Sequence, residues 1–177
     1  MRLKIDTHTQ VPATEQEWLA GIKKQAAATD EIQAPQATRS HADWWSEFWN
    51  RSWIYVTGDD NAFAVTEGYL LQRFISASGG RGKFPIKFNG TIFTVDEGDM
   101  SADYRAWGGC YWFQNTRLIY WPMLASGDFE MMRPLFRMYG DALPLAKTRT
   151  KTYFKHDGAF FPETMSSWGT YDNGGHG

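Results

Sequence analysis

Residues 41–53 read HADWWSEFWNRSW, and this stretch decides the fold class. Trp45, Phe48, Trp49 and Ser52 or Trp53 recur every three to four positions, which is the period of one face of an α-helix. The segment TGDDN at 57–61 ends that helix, so the stretch predicts a helix over about 41–52. Downstream the period continues: Phe63, Leu70, Phe74 and Ala77 lie on one stripe, widened by Tyr69 and Ile75, and predict a helix over 61–77. Upstream, Thr14 with Glu17 has the form of a capping box, and the run from 15 to 28 contains no breaker except Gly21. Between these helices QAPQATRS, 33–40, reads as a linker.

After Ala77 the pattern changes. SGGRGKFPIKFNGTIFTVDEGD, 78–99, is too rich in glycine for a helix. Within it Asn89-Gly90 separates two short β-type runs, the strongest local signal for a hairpin. Residues 78–110 therefore read as a long loop carrying one short hairpin, and long loops in compact domains usually serve function. Residues 114–121 read as helical up to Trp121, where Pro122 restricts or kinks the chain. A last helix is expected from about Arg133, with Pro134 in its first turn, towards Phe154, bent or split by Gly140 and Pro144. Residues 158–177 read as loop. The expected organisation is a leading helix and linker, 1–39, followed by a mainly α region, 40–177.

Composition narrows the function. The chain has 177 residues, with 18 Lys and Arg against 20 Asp and Glu, a net charge of −2. No basic stripe suggests nucleic acid, and no apolar run approaches a membrane span or the core of a signal peptide. Cys110 is the single cysteine, so neither an internal disulfide nor a Cys-rich metal site follows. Cys110 also lacks a His partner motif for a thiol nucleophile. The four His residues, at 8, 41, 156 and 176, have no zinc spacing, and RGKFPIKFNG is not a phosphate-binding loop. Neither a metal nor a cofactor is expected.

Aromatic residues are the outstanding feature: nine Trp, eight Tyr and twelve Phe make up 16% of the chain. They alternate with polar residues in RAWGGCYWFQNTRLIYWP, 105–122, and FFPETMSSWGTY, 160–171. Sugars present apolar C–H faces that stack on rings and hydroxyls that need amides, carboxylates or guanidinium groups. The candidate ligand is therefore a carbohydrate. Its candidate contacts are Trp112, Gln114, Arg117, Trp121, Asn89 and Trp168, with Glu163 as a hydroxyl acceptor or acid. For each Trp, core packing is the competing reading. For Asn115 it is a helix N-cap, and for Glu163, set among apolar residues, it is a buried salt bridge or capping bond. Arg73, Arg81 and Lys87 read as surface charges.

Several of these segments together resemble the catalytic domain of glycoside hydrolase family 95, the α-L-fucosidase and α-L-galactosidase group. The resemblance is carried by HADWWSEFWNRSWI, 41–54; YLLQRFISASGGRGKFPIKFNG, 69–90; QNTRLIYWPM, 114–123; PLF, 134–136; and GAFFPETMSSWG, 158–169. It covers about residues 40–170. It implies an (α/α)6 barrel, or toroid, with its site built from loops at one mouth, and inverting hydrolysis by a Glu acid and an Asp base. It also implies two Asn, two residues apart, that hold the attacking water. The second of these falls on Asn115 and the first on Phe113, which cannot orient water by its side chain. The family's acid and base fall beyond Gly177, so the chain corresponds to the front portion of such a barrel, with Glu163 a weak candidate acid. The expected partners are an oligosaccharide or polysaccharide side chain and the remaining segment of the barrel. The expected location of the parent protein is periplasmic or extracellular. A non-catalytic sugar-binding remnant of such a barrel is the alternative, and a purely structural helical domain is a third reading. A partial barrel is expected to expose apolar stripes such as Leu135, Met138 and Tyr139, and to bring Trp112, Asn115, Arg117, Trp121 and Glu163 onto one concavity.

Overall fold

A computed structural model describes residues 3–87 and 110–172. The chain forms two compact units, residues 1–50 and 51–177.

In the first unit, α1 spans Glu15–Asp30, and its start is the capping box read from the sequence. The Thr14 hydroxyl accepts from the Glu17 amide at 3.3 Å, and the Glu17 carboxylate accepts from the Thr14 amide at 2.7 Å. The preceding segment is laid along this helix. Gln25 donates to the Thr7 carbonyl at 2.8 Å, Trp18 donates its indole N–H to the His8 carbonyl at 3.0 Å, and Lys4 reaches Asp30 at 2.6 Å. Gly21 sits where a Cβ would collide with the His8 ring, which accounts for a glycine inside a helix.

Helix α2 spans Ala34–Arg51, so the stretch expected as a linker is helical from Ala34. Pro35 lies in the first turn of this helix. In the first turn a proline costs no hydrogen bond and its fixed φ suits the helix. Along α2 the rings stack at i, i+4: Trp44 on Phe48 with centroids 5.3 Å apart, and Trp45 on Trp49 at 5.9 Å.

The second unit begins at Arg51. Helix α3 spans Asp60–Gly79, and Asp59 caps it by accepting from the amides of Asn61 and Ala62. Helix α4 spans Phe113–Ser126 and continues through Pro122 instead of stopping at Trp121. Proline there removes only the bond to the Leu118 carbonyl, and both residues lie on the exposed side of the helix. Gly127, at φ 72°, ends α4. A 3₁₀ turn, Phe129–Met132, leads into α5, Arg133–Phe154. Helix α5 runs unbroken through Gly140 and Pro144, so of the expected bend or split there is no split.

The tail contains structure that the sequence reading missed. Strand β1, Tyr111–Trp112, pairs antiparallel with β2, Thr164–Met165, in the register Tyr111 to Met165 and Trp112 to Thr164. Met165 bridges back to Tyr171. This small sheet closes over α5: Tyr111, Met138 and Met165 are buried together, with Leu135, Tyr139 and Phe161 against them. The stripe of Leu135, Met138 and Tyr139, expected to be exposed, is therefore covered. The large apolar residues left more than half exposed include Leu118, Trp121, Leu124, Phe129 and Phe136. The described residues are thus mainly helical, with one two-stranded sheet. The expected hairpin at Asn89-Gly90 lies outside the described residues, as does Asn89 itself as a sugar contact.

Candidate functional site

The sheet and α5 hold one strip of chain, 159–164, in place from both sides. The Phe113 amide, at the start of α4, donates to the Glu163 carbonyl at 2.9 Å. From α5, Arg149 donates to the carbonyls of Phe160 at 2.9 Å and Gly169 at 2.8 Å. The Phe160 amide donates to the Ala146 carbonyl at 3.3 Å. Gly169 makes this closeness possible: its φ is 82°, and a Cβ there would lie 2.7 Å from the Ala142 Cβ.

Against this strip lies a cavity of about 700 Å³, lined by Phe113, Gln114 and Arg117 of α4, Tyr139 of α5, and Phe160, Phe161 and Glu163 among the residues of the strip. Its walls are aromatic. Tyr139 meets Phe161 edge to face at 5.1 Å and Phe113 at 6.3 Å. Its polar groups are few: one amide, one guanidinium, one carboxylate and the Tyr139 phenol. Burial pushes that phenol above its ordinary pKa, so it meets a ligand as a neutral O–H.

The cation in this cavity is held by rings. The Arg117 guanidinium carbon lies 5.0 Å from the Trp121 ring centre and 5.8 Å from that of Phe113, one helical turn to either side. Its Nε is buried and has no acceptor among the described residues. Glu163 is exposed, not buried as its apolar neighbours suggested. Its carboxylate makes no ion pair or hydrogen bond with the described residues. The expected structural roles for it, a buried salt bridge or a cap, are absent there. A guanidinium and a carboxylate thus face one aromatic cavity without neutralising each other.

Of the residues nominated from the sequence, Gln114, Arg117 and Glu163 line this cavity. Trp121 touches it only through Arg117. Trp112 is half-buried and contributes its backbone, as the residue preceding α4. Trp168 is exposed at a turn, its ring 6.5 Å from that of Phe84. Asn115 is not among the lining residues, and helix geometry gives the reason. Residues two apart on an α-helix point about 160° apart, so Asn115 and Arg117 cannot share a face. Nor is Asn115 the cap of α4: the capping position is Trp112, without a side-chain bond, and Asn115 is the third helical residue. The sequence reading missed Phe113, Tyr139, Phe160 and Phe161 as walls. The i, i+4 step from Phe113 to Arg117 was the signal for the first. The others converge only through the β1–β2 pairing, which no periodicity announces.

A second polar centre braces the unit. Asp128, 1% exposed, accepts two hydrogen bonds from Arg73, at 3.0 and 2.9 Å, one from Arg51 at 3.0 Å and one from the Ser126 hydroxyl at 2.6 Å. Arg73 also donates to the Ser52 carbonyl. Arg73, expected at the surface, is buried. Every carboxylate oxygen here is paired, and the forked guanidinium matches it in two places. This is a structural lock rather than a ligand site.

Nearby, two phenols tie 84–87 to the sheet and α4. The Tyr111 hydroxyl donates to the Pro85 carbonyl at 3.1 Å, and the Tyr120 oxygen accepts from the Ile86 amide at 2.8 Å. Burial pushes both phenols up to about 12. Burial likewise raises the Cys110 thiol, helped by Asp172, which disfavours the nucleophilic thiolate. It also lowers Lys87, whose ammonium lies 5.1 Å from the Tyr111 ring centre. Among the described residues no group of three or more His, Cys, Asp or Glu could hold a metal ion, and no helix is long and apolar enough to cross a membrane.

Residues 1–54 match the N-terminal part of a family described as a domain of unknown function, DUF5703. No curated protein and no solved structure matches the chain.

Proposed function

We propose that the cavity between α4 and the strip 159–164 binds a terminal sugar. We further propose that the chain is part of an (α/α)6 glycoside-hydrolase-like domain acting on an α-L-fucosyl or related residue of a glycan, in a periplasmic or extracellular parent protein. The observation that carries the binding reading is that Arg117 and Glu163, with no ion pair between them and none to another of the described residues, line a cavity walled by Phe113, Tyr139, Phe160 and Phe161. Rings suit the apolar face of a sugar. Arg117 donates to ring or hydroxyl oxygens, Glu163 accepts from hydroxyls, and Gln114 can do both. The barrel reading draws support from the outward arc of α4, where Leu118, Trp121 and Leu124 remain exposed as they would where further helices pack.

Inverting hydrolysis needs two carboxylates, about 6.5–9.5 Å apart, on opposite sides of the sugar. Among the described residues only Glu163 supplies a carboxylate to this cavity. The recognition role of this chain is therefore proposed ahead of turnover, with Glu163 an acceptor for a hydroxyl. A glycan array probed with the whole chain tests the reading. Retention of glycans ending in fucose or galactose, lost in Arg117→Ala and Phe113→Ala with the fold intact, is the expected result. Uniform absence of retention by the folded chain would refute it.

A further inference from the structure

Helix α5 carries five Lys and Arg against one acid, Asp141, in a chain whose net charge is −2. One of the five, Arg149, spends its N–H groups on the carbonyls of Phe160 and Gly169. The other four, Arg133, Arg137, Lys147 and Lys151, are exposed. At about 100° and about 1.5 Å per residue, these four project within an arc of about 80° and span about 27 Å of helix. The arc lies opposite Met138, Ala142 and Ala146, which are buried. Gly140 and Pro144 fall inside the same arc, between the two pairs of cations, and the helix runs through both. A break at either would have parted the pairs, so the row exists only because α5 is continuous. A Cβ added at Gly140 would meet nothing within 4 Å, which leaves the middle of the row open. Arg133, Arg137 and Lys147 form no ion pair with the described residues, and Lys151 pairs at the surface with Asp157 at 3.3 Å. Asp141 lies about 40° beyond the edge of the arc.

We propose that this face of α5 docks an acidic polysaccharide, a linear chain of sugars bearing carboxylates. Single-file cations on one helix suit a narrow polyanion lying along it. Charge density selects the kind. Duplex nucleic acid carries one charge per about 1.7 Å of its axis, and its binders are strongly basic. This chain has a pI near 6.1, and the row holds one cation per about 9 Å of helix, which matches a sparser polymer. A flat anionic bilayer would meet a wider face of the helix, Asp141 included. Phe136 and Phe154, 63% and 54% exposed, run along one edge of the row and offer rings to the apolar faces of sugars. None of the four cations lines the cavity at α4, so this surface stands apart from the terminal-sugar reading.

Immobilised polygalacturonate, with immobilised dextran as the neutral control, tests this on the full chain. Retention is expected on the first and not on the second, with elution by about 1 M salt, which screens charges within about 3 Å. Titration with soluble polygalacturonate is expected to show at least about tenfold weaker binding for the double variant Arg137→Gln, Lys147→Gln. Lys23→Gln with Lys24→Gln removes the same charge from exposed positions of α1 and is expected to bind within about twofold of the wild type. Gly140→Glu adds a carboxylate to the middle of the row, at a position where glutamate favours helix over glycine. It is expected to weaken binding about tenfold without loss of helix, and Gly140→Gln to bind as the wild type does. Absence of retention by the folded chain, or equal losses in the α5 and α1 double variants, would overturn the proposal. Retention on anionic vesicles or single-stranded DNA but not on polygalacturonate would overturn it in favour of that other partner.

Discussion

Asp128 is buried in the second unit, and its energetics follow from its partners. A carboxylate this deeply buried is tolerable because two guanidinium groups and a hydroxyl pair every lone-pair direction it needs. Removing it takes the paired carboxylate away from Arg73, itself buried, and from Arg51. Asp128→Ala is expected to destabilise the unit by about 3–5 kcal/mol, read as a fall in the urea midpoint. A change below about 1 kcal/mol would show that water replaces the carboxylate. Lys155 gives the opposite sign. It ends α5 at φ 62°, the one non-glycine residue with positive φ among the described residues. The left-handed conformation costs an L-residue roughly 1–2 kcal/mol, so Lys155→Gly is expected to raise stability by about 1 kcal/mol in the same titration. Neither residue could be singled out from sequence. Arg73 sits in a helical stripe indistinguishable from a solvated one, and its partner lies 55 positions away. Glu163 and Arg117 were legible as candidates, because charged residues embedded among rings are unusual. Their burial was not, since it depends on where the chain returns.

At the scale of elements, the helices and the start of α1 were readable, and the start of α2 and the extent of α4 were not. Capping residues announced α1, and apolar period announced α2 and α3. Pro122 and Pro144 stop neither helix, and Pro134 opens α5 as read, because a proline's cost depends on position. Pro35 lies in a first turn, while Pro122 and Pro144 lie on exposed positions where one lost hydrogen bond can be made to water. The sheet was invisible because two-residue strands carry no alternation. That pairing nevertheless builds the cavity, and the phenols around it give it a pH signature. Tyr111 and Tyr120 have folded values of about 12 against an ordinary value near 10. The native state therefore holds their protons more tightly than the unfolded chain. Stability from this source is fully present below about pH 10 and is lost as pH rises towards 12. Alkaline titration followed at the phenolate absorbance is expected to show these two ionising last and together with loss of helix. Ionisation of all eight tyrosines near pH 10, with the fold intact, would contradict the burial described here. Gly169→Ala probes the same junction. The added methyl meets Ala142 and the backbone is already at positive φ, so a loss of about 1–3 kcal/mol is expected.

Across the chain, the aromatic-rich composition supplies a cleft that uses only part of that richness. Much of it serves elsewhere: Trp44, Trp45, Phe48 and Trp49 stack on one another along α2. The cleft is made instead by Phe and Tyr that converge from α4, α5 and the strip between β2 and α5. With one carboxylate supplied by the described residues, the chain is expected to bind sugar without turning it over. Incubation with p-nitrophenyl α-L-fucoside should release no nitrophenol above background. Robust release abolished by Glu163→Gln would make that residue an acid with an unrecognised partner. The most direct test of the proposed sugar binding is backbone NMR of the isotope-labelled chain titrated with L-fucose and D-galactose. Saturable shifts are expected at Gln114, Arg117, Phe161 and Glu163, and are expected to be absent in Arg117→Ala. No shifts with either sugar, or shifts confined to residues away from this cavity, would contradict it.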